Sequence, residues 1–190
     1  MIETLLEGYG RFRERADKEC YCSLCGCQHP HSLVITCSDS RIVPEEIFDA
    51  RPGELFVLRN VGNLVRTDEP SVAAALDYAL LHLGVKDVVV LAHTDCGAVK
   101  ASKDPDHLDT DGLRLWLGEE YFDGADTEKA AKAAGLRQLE KILQYPVFRK
   151  LEREGKVSAS LCFFNIGTCS LELFVNGNWV DPGSVSAICR

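Results

Sequence analysis

Asp87-Val88-Val89-Val90-Leu91-Ala92-His93-Thr94-Asp95-Cys96-Gly97-Ala98-Val99 is the stretch that decides the fold. Val88 to Leu91 is apolar without alternation, the pattern of a parallel strand covered on both faces. The run stops at a histidine, turns through Thr94-Asp95, and resumes with small residues suited to a helix start. A strand that feeds a helix through a short polar turn is the unit of an α/β sheet. His93 and Cys96 flank that turn. They stand where open α/β sheets place their sites, outside the carboxyl ends of the strands.

Working back along the chain, Ser32 to Thr36 is a second β-type run, and it too stops at a metal-ligating residue, Cys37. Ser38-Asp39-Ser40-Arg41 follows, placing a carboxylate and a guanidinium beside the thiol. If the two strands are neighbours, two thiolates and one imidazole converge. That donor set suits Zn²⁺ in a Cys₂His catalytic site with its fourth position open. Each residue alone has a plainer reading. A strand-end Cys is most often a small buried apolar residue, and Asp39–Arg41 alone would be a surface ion pair of little consequence.

The rest of the chain repeats the alternation. Pro44 to Phe48 reads as a short helix and Glu54 to Arg59 as a strand. Glu69 to Leu83 reads as a helix with Pro70 in its first turn and Gly84 as its stop. Lys103 to Gly124 is acidic and irregular, and is expected to be a solvated connection. Thr127 to Leu143 reads as a long helix and Pro146 to Glu154 as a short one. Ser158 to Ile166 reads as a strand, and Leu171 to Val180 as a hairpin turning at Asn176-Gly177. The expected fold is α/β: residues 1–190 as a single domain, with a mainly parallel central sheet flanked by helices. Residues 1–30 form a helical arm and a Cys-rich segment. In the arm, Leu5, Leu6, Tyr9 and Phe12 share a helix face fit to pack on another body.

Composition narrows the function. With 21 basic against 29 acidic residues the net charge is −8, and no basic patch stands out, which argues against nucleic acid or an anionic membrane as partner. Met1 to Lys18 lacks the apolar core of an export signal, and no apolar run approaches the roughly 20 residues of a membrane span. The chain is expected to be soluble and cytoplasmic. Nine cysteines in such a chain argue for metal ligation and free thiols rather than disulfides. Cys20, Cys22, Cys25 and Cys27 offer donors for a second metal, but most of the gaps are single residues, too tight for an ordinary tetrahedral loop. A reduced loop is the favoured reading. His29, His31, His82 and His107 read as surface or packing groups, Cys162, Cys169 and Cys189 as unpaired thiols, and Phe163-Phe164 as core.

Taken jointly, Cys37 to Arg41, Pro52-Gly53-Glu54, Arg59-Asn60-Val61-Gly62-Asn63 and His93 to Gly97 resemble the β-class carbonic anhydrases. Leu5-Leu6-Glu7-Gly8, Phe12, Gln28, Pro30 and Asp77-Tyr78 extend the likeness, which is good over the first hundred residues and weak beyond. The resemblance implies one zinc per chain held by Cys37, His93 and Cys96. It implies that Asp39 and Arg41 form a catalytic dyad. Gln28, Phe56 and Tyr78 would line the substrate pocket, and the Gly97 N–H would lie near bound bicarbonate. It further implies a homodimer or higher homo-oligomer, since the family's pocket is built across a dimer interface.

The implied reaction is reversible hydration of carbon dioxide to bicarbonate and a proton, by attack of a zinc-bound hydroxide. Two thiolates cancel the metal's formal charge, so the bound water should ionise less readily than in a His₃ site and activity should favour mildly alkaline pH. Members that close the site with this Asp carry Trp and Gly shortly before the first Cys. Val34 and Thr36 stand there in this chain, which implies an open site without bicarbonate regulation. Hydrolysis of carbonyl sulfide or carbon disulfide at the same zinc is an alternative. A non-catalytic zinc or redox-sensing module is another, against which the Asp39–Arg41 pair speaks.

Overall fold

Three parallel ladders set the frame. In the computed structural model, which describes residues 2–104, 106, 108–118 and 126–185, β1 (Ser32–Cys37) pairs with β2 (Leu55–Asn60) on one side and β3 (Asp87–His93) on the other. β3 pairs in parallel with β4 (Ser158–Asn165). β5 (Ser170–Val175) and β6 (Asn178–Val180) add an antiparallel edge, giving the order β2-β1-β3-β4-β5-β6. The expected hairpin is present. Asn176 and Gly177 both take positive φ, 49° and 84°, as a two-residue hairpin turn demands.

From β1 the chain crosses to β2 on one flank, and β3 then lies on the other. The strand order therefore reverses between β1 and β3, and a crevice opens at their carboxyl ends. Cys37 ends β1 and His93 ends β3. The fold has brought together the two runs singled out in the sequence.

Helices cover the sheet unevenly. α1 (Ile2–Arg15), α2 (Lys18–Ser23) and α3 (Pro44–Ile47) come early in the chain. α4 (Pro70–Asp77) continues as a wide π-helical turn over Tyr78–Leu83, where one regular helix is expected. α5 (Gly97–Lys103), α6 (Asp111–Leu117), α7 (Thr127–Gln144), α8 (Pro146–Arg153) and α9 (Pro182–Val185) follow. One face of the sheet carries the main core: Leu33, Ile35, Val88, Val90, Leu161 and Phe163 pack with Leu76, Ala134, Ile142 and Phe148 of the helices. α7 lies close against β3 and β4 because Gly135 has no side chain. A Cβ there would stand 2.9 Å from Leu161 Cδ1 and 3.1 Å from the Ala92 Cβ. The opposite face holds a smaller cluster around Val34, Ile42, Leu91 and Cys162, with Val57, Val89 and Phe164 only partly buried. Val89 thus departs from the expected cover on both faces. Of the expected core pair, Phe163 is fully buried and Phe164 half-buried.

Two further readings need correction. The expected solvated connection Lys103–Gly124 contains α6. Thr110 caps it by accepting from Leu113 N, and Leu117 is buried in the main core. Thr110 with Leu113 and Leu117 at i, i+4 spacing was a helix signal hidden by the acidic residues around it. The arm helix, expected over Ile2 to Lys18, ends at Arg15, because Asp17 caps a new helix, α2, by accepting from Glu19 N and Cys20 N. Within the chain, α1 buries nothing: Leu5 is 70% exposed and Leu6 59%. His107 and Cys189 lie outside the described residues.

Candidate metal centre

Cys37, His93 and Cys96 present their donor atoms within 4.8 Å of one another, and all three residues are buried. The sulfurs of Cys37 and Cys96 are 3.9 Å apart. Cys96 reaches them because the chain reverses sharply after His93. Asp95 takes φ 61°, a left-handed conformation that costs energy for a non-glycine residue and clusters at functional sites. Cys96 then sits at the N-cap of α5.

The imidazole is oriented by its own backbone. His93 Nδ1 lies 2.8 Å from the Thr94 carbonyl oxygen, which can only accept, so Nδ1 carries the proton. Nε2 is left with a bare lone pair. It is buried and has no hydrogen-bond partner. An orphaned acceptor of this kind is costly unless something electropositive meets it. Two thiols share the same small space. Cys37 is held below the usual thiol range, chiefly by the hydrogen bond from Cys96. Cys96 is pushed up by donating that bond and by burial. Two adjacent thiolates repel, so full ionisation of the pair calls for a cation. The donor set and the orphaned nitrogen both fit a divalent metal bound between them.

Asp39 and Arg41 stand beside this group as a tight pair. Asp39 Oδ1 accepts from Arg41 N at 3.0 Å and Nε at 2.9 Å, and Oδ2 accepts from Nη2 at 2.8 Å. These bonds hold the Asp39 carboxyl well below the usual carboxylate range. Among the described residues Asp39 does not join the group formed by Cys37, His93 and Cys96. Arg41 Nη1 in turn binds Asp95 Oδ2 at 2.9 Å, and Lys100 pairs with the same Asp95. Asp95 therefore ties the β1 loop to the β3 turn. Its position next to Cys96 was the available signal, and the sequence reading passed over it. Arg59 was visible only as part of a motif. It donates to the carbonyls of Cys37, Asp39 and Ile42 and so frames the loop that carries the dyad. Thr36 is buried and donates to the Leu91 carbonyl at 3.0 Å, stitching β1 to β3.

The expected pocket residues form a second patch. Gln28 and Tyr78 line a cavity of about 490 Å³ with Leu24, Gly26, Cys27 and Leu83. Phe56 touches Tyr78, ring centroids 6.0 Å apart. None of Cys37, His93 and Cys96 lines that cavity, nor does Gly97, which is exposed at the start of α5. Cys20, Cys22, Cys25 and Cys27 form no group of converging ligands. All eight described cysteines are free thiols. His31 bonds the Ser32 hydroxyl, His82 stacks on Tyr78 and His29 is exposed, so these three are surface or packing groups as expected.

Comparison with known proteins identifies the family. The carbonic anhydrase family profile matches residues 32–171, and the chain belongs to that family. A carbonic anhydrase of Pseudomonas aeruginosa is 45% identical over 106 residues, covering 53% of this chain and 48% of that protein. One from Helicobacter pylori is 44% identical over 86 residues, covering 43% and 39%. The match thus spans less than half the length of these curated relatives. Among solved structures, the β-carbonic anhydrase CcaA superposes with a TM-score of 0.87 at 28% identity, covering 95% of this chain and 92% of that one. A tetrameric β-carbonic anhydrase of the ascomycete Sordaria macrospora gives 0.72 at 25% identity over 94% and 96%. The fold is that of the β class.

Proposed function

We propose that the protein catalyses reversible hydration of carbon dioxide to bicarbonate and a proton, with one zinc held by Cys37, His93 and Cys96. The observation that carries this reading is the orphaned, buried Nε2 of His93 facing two thiols beside the Asp39–Arg41 pair. Zinc bound there would act as a Lewis acid and make water a nucleophile near neutral pH.

The chain's own residues supply the rest. Arg41 fills both lone pairs of Asp39 Oδ1 and one of Oδ2. One lone pair on Oδ2 remains, so Asp39 can accept a single further hydrogen bond in a fixed direction. A reacting oxygen that donates to it is aimed by the carboxylate, and Asp39 stays ionised because Arg41 stabilises the anion. Asp95 and Arg59 keep the pair from swinging toward the metal ligands, which supports an open fourth position.

Gln28, Phe56 and Tyr78 serve as the substrate-lining patch. They lie apart from the metal group within one chain, and the apolar face of α1 lies bare. Both features support a homodimer in which a second copy brings the patches together, with residues 1–30 serving assembly and residues 1–190 acting as one zinc-dependent unit. No helix among the described residues is long and apolar enough to cross a membrane. The unpaired thiols suit a reducing, cytoplasmic setting.

Zinc content and stopped-flow CO₂ hydration of wild type, Asp39→Ala and Cys37→Ser test this directly. One zinc per chain, with activity lost in both variants, is expected. Full activity in Asp39→Ala overturns the role of the dyad. Sulfide release from carbonyl sulfide without CO₂ hydration overturns the choice of substrate.

A further inference from the structure

Val61 and Gly62 share one peptide group, and both of its ends are held. Its N–H, that of Gly62, is buried and points at Cys37 Sγ, 3.4 Å away. Its carbonyl, that of Val61, accepts a 2.7 Å hydrogen bond from the indole Nε1–H of Trp116 on α6. The residues around it have little freedom. Gly62 and Asn63 take φ 85° and 48°, and a Cβ at 62 would lie 3.0 Å from the Cβ of Ala98. Asn60 closes the loop by bonding both N–H and carbonyl of Leu64, and Gln138 of α7 accepts from Val65 N. α6 is anchored in turn. Leu117 is buried, and Arg66 donates to the carbonyls of Leu115 and Trp116 while its guanidinium lies 5.6 Å over the indole.

We propose that Trp116 is a positioning residue for the metal centre: by gripping the Val61 carbonyl it aims the Gly62 N–H at the Cys37 sulfur and so sets how strongly that sulfur donates to the metal. The proposal rests on the metal reading above. Its physics is local. An amide whose carbonyl accepts a hydrogen bond is polarised and becomes a better N–H donor. A hydrogen bond to a ligating thiolate is charge-assisted and draws electron density from the sulfur. Groups one step behind the ligands change metal affinity or activity by roughly 10- to 100-fold. A Trp116 that only clamps α6 would matter to stability and leave the sulfur unchanged.

Cobalt(II) loaded in place of zinc reports on the sulfur through its sulfur-to-cobalt charge-transfer band. Trp116→Phe keeps an aromatic ring under Arg66 and deletes the N–H. A benzothiophene analogue of tryptophan at 116 keeps the full ring size and also lacks the N–H, so it decides the matter if the Phe variant folds poorly. Both are expected to move the band to lower energy, because a sulfur relieved of its donor gives up an electron more readily. A band that stays in place or moves to higher energy in the analogue overturns the proposal, whatever happens to the melting temperature. A wild type that binds cobalt without any charge-transfer band removes the metal reading itself, which separates the two failures.

Discussion

Two groups of cysteines in this chain behave in opposite ways. Cys20, Cys22, Cys25 and Cys27 crowd into eight residues of sequence and form no common ligand group. Cys37 and Cys96 are 59 residues apart, and their sulfurs stand 3.9 Å from each other. The first group rides on α2 and its exposed continuation, where Cys22, Cys25 and Cys27 face solvent. The second is set by two adjacent strands: Cys37 ends β1, and Cys96 follows the end of β3 through the turn at Asp95. Nearness along the chain brings thiols close without fixing their directions. Adjacent strand ends fix both, because the ladder between β1 and β3 leaves no freedom of register.

The largest effect that could break this contrast lies at the strand ends. Cys37→Ser is expected to weaken zinc binding by more than about 100-fold, beyond what residues behind the ligands typically contribute. Equilibrium dialysis followed by metal analysis measures it. Retention of a full zinc in that variant would hand the metal to the N-terminal thiols. Asp39→Asn comes next. Its zinc content should stay at one per chain while kcat/KM for CO₂ falls by about 10²- to 10⁴-fold, the range for loss of a group that handles a proton. The pairing of normal metal with lost turnover is what separates the dyad from the ligands.

On the arm, Leu5→Glu with Leu6→Glu is expected to shift the sedimentation coefficient toward that of a monomer. Unchanged mass would mean that the exposed face of α1 is not used for self-association. Gly135→Ala presses a methyl group into Leu161 and Ala92, behind the strand that carries His93. A loss of about 1–3 kcal/mol in urea unfolding is expected from the overpacking. Smallest is the fourfold change of Cys20, Cys22, Cys25 and Cys27 to Ser. Zinc stoichiometry should not move, and stability should stay within about 0.5 kcal/mol, as for exposed positions generally.

Much of this was readable in advance, for identifiable reasons. Val88 to Leu91 announced a parallel strand because an unbroken apolar run suits a strand covered on both faces, and all of it but Val89 is buried. Asn176-Gly177 announced a hairpin because few residue pairs tolerate two positive φ angles. The cluster of Cys37, His93 and Cys96 and the neighbouring Asp39–Arg41 pair were legible through the joint spacing of their motifs. α6 was missed because acidic composition was allowed to outweigh the Thr110 cap and the Leu113–Leu117 spacing, and Trp116 went with it. The π-helical widening at Tyr78–Leu83 left no mark in a sequence that reads as regular helix. Asp95 was overlooked because its partners, Arg41 and Lys100, become neighbours only once β1 and β3 align.

By itself the sequence determined which segments become strands and helices, which side chains offer donor atoms suited to a metal, and which family the chain resembles. These are local properties, set by periodicity, capping and side-chain donor type. Only the tertiary structure decided that three of the donors meet, that four nearby thiols do not, and that one peptide group is held between an indole and a sulfur. Those outcomes depend on distances between residues remote in sequence, and such distances follow from sheet order and packing rather than from any one stretch of chain.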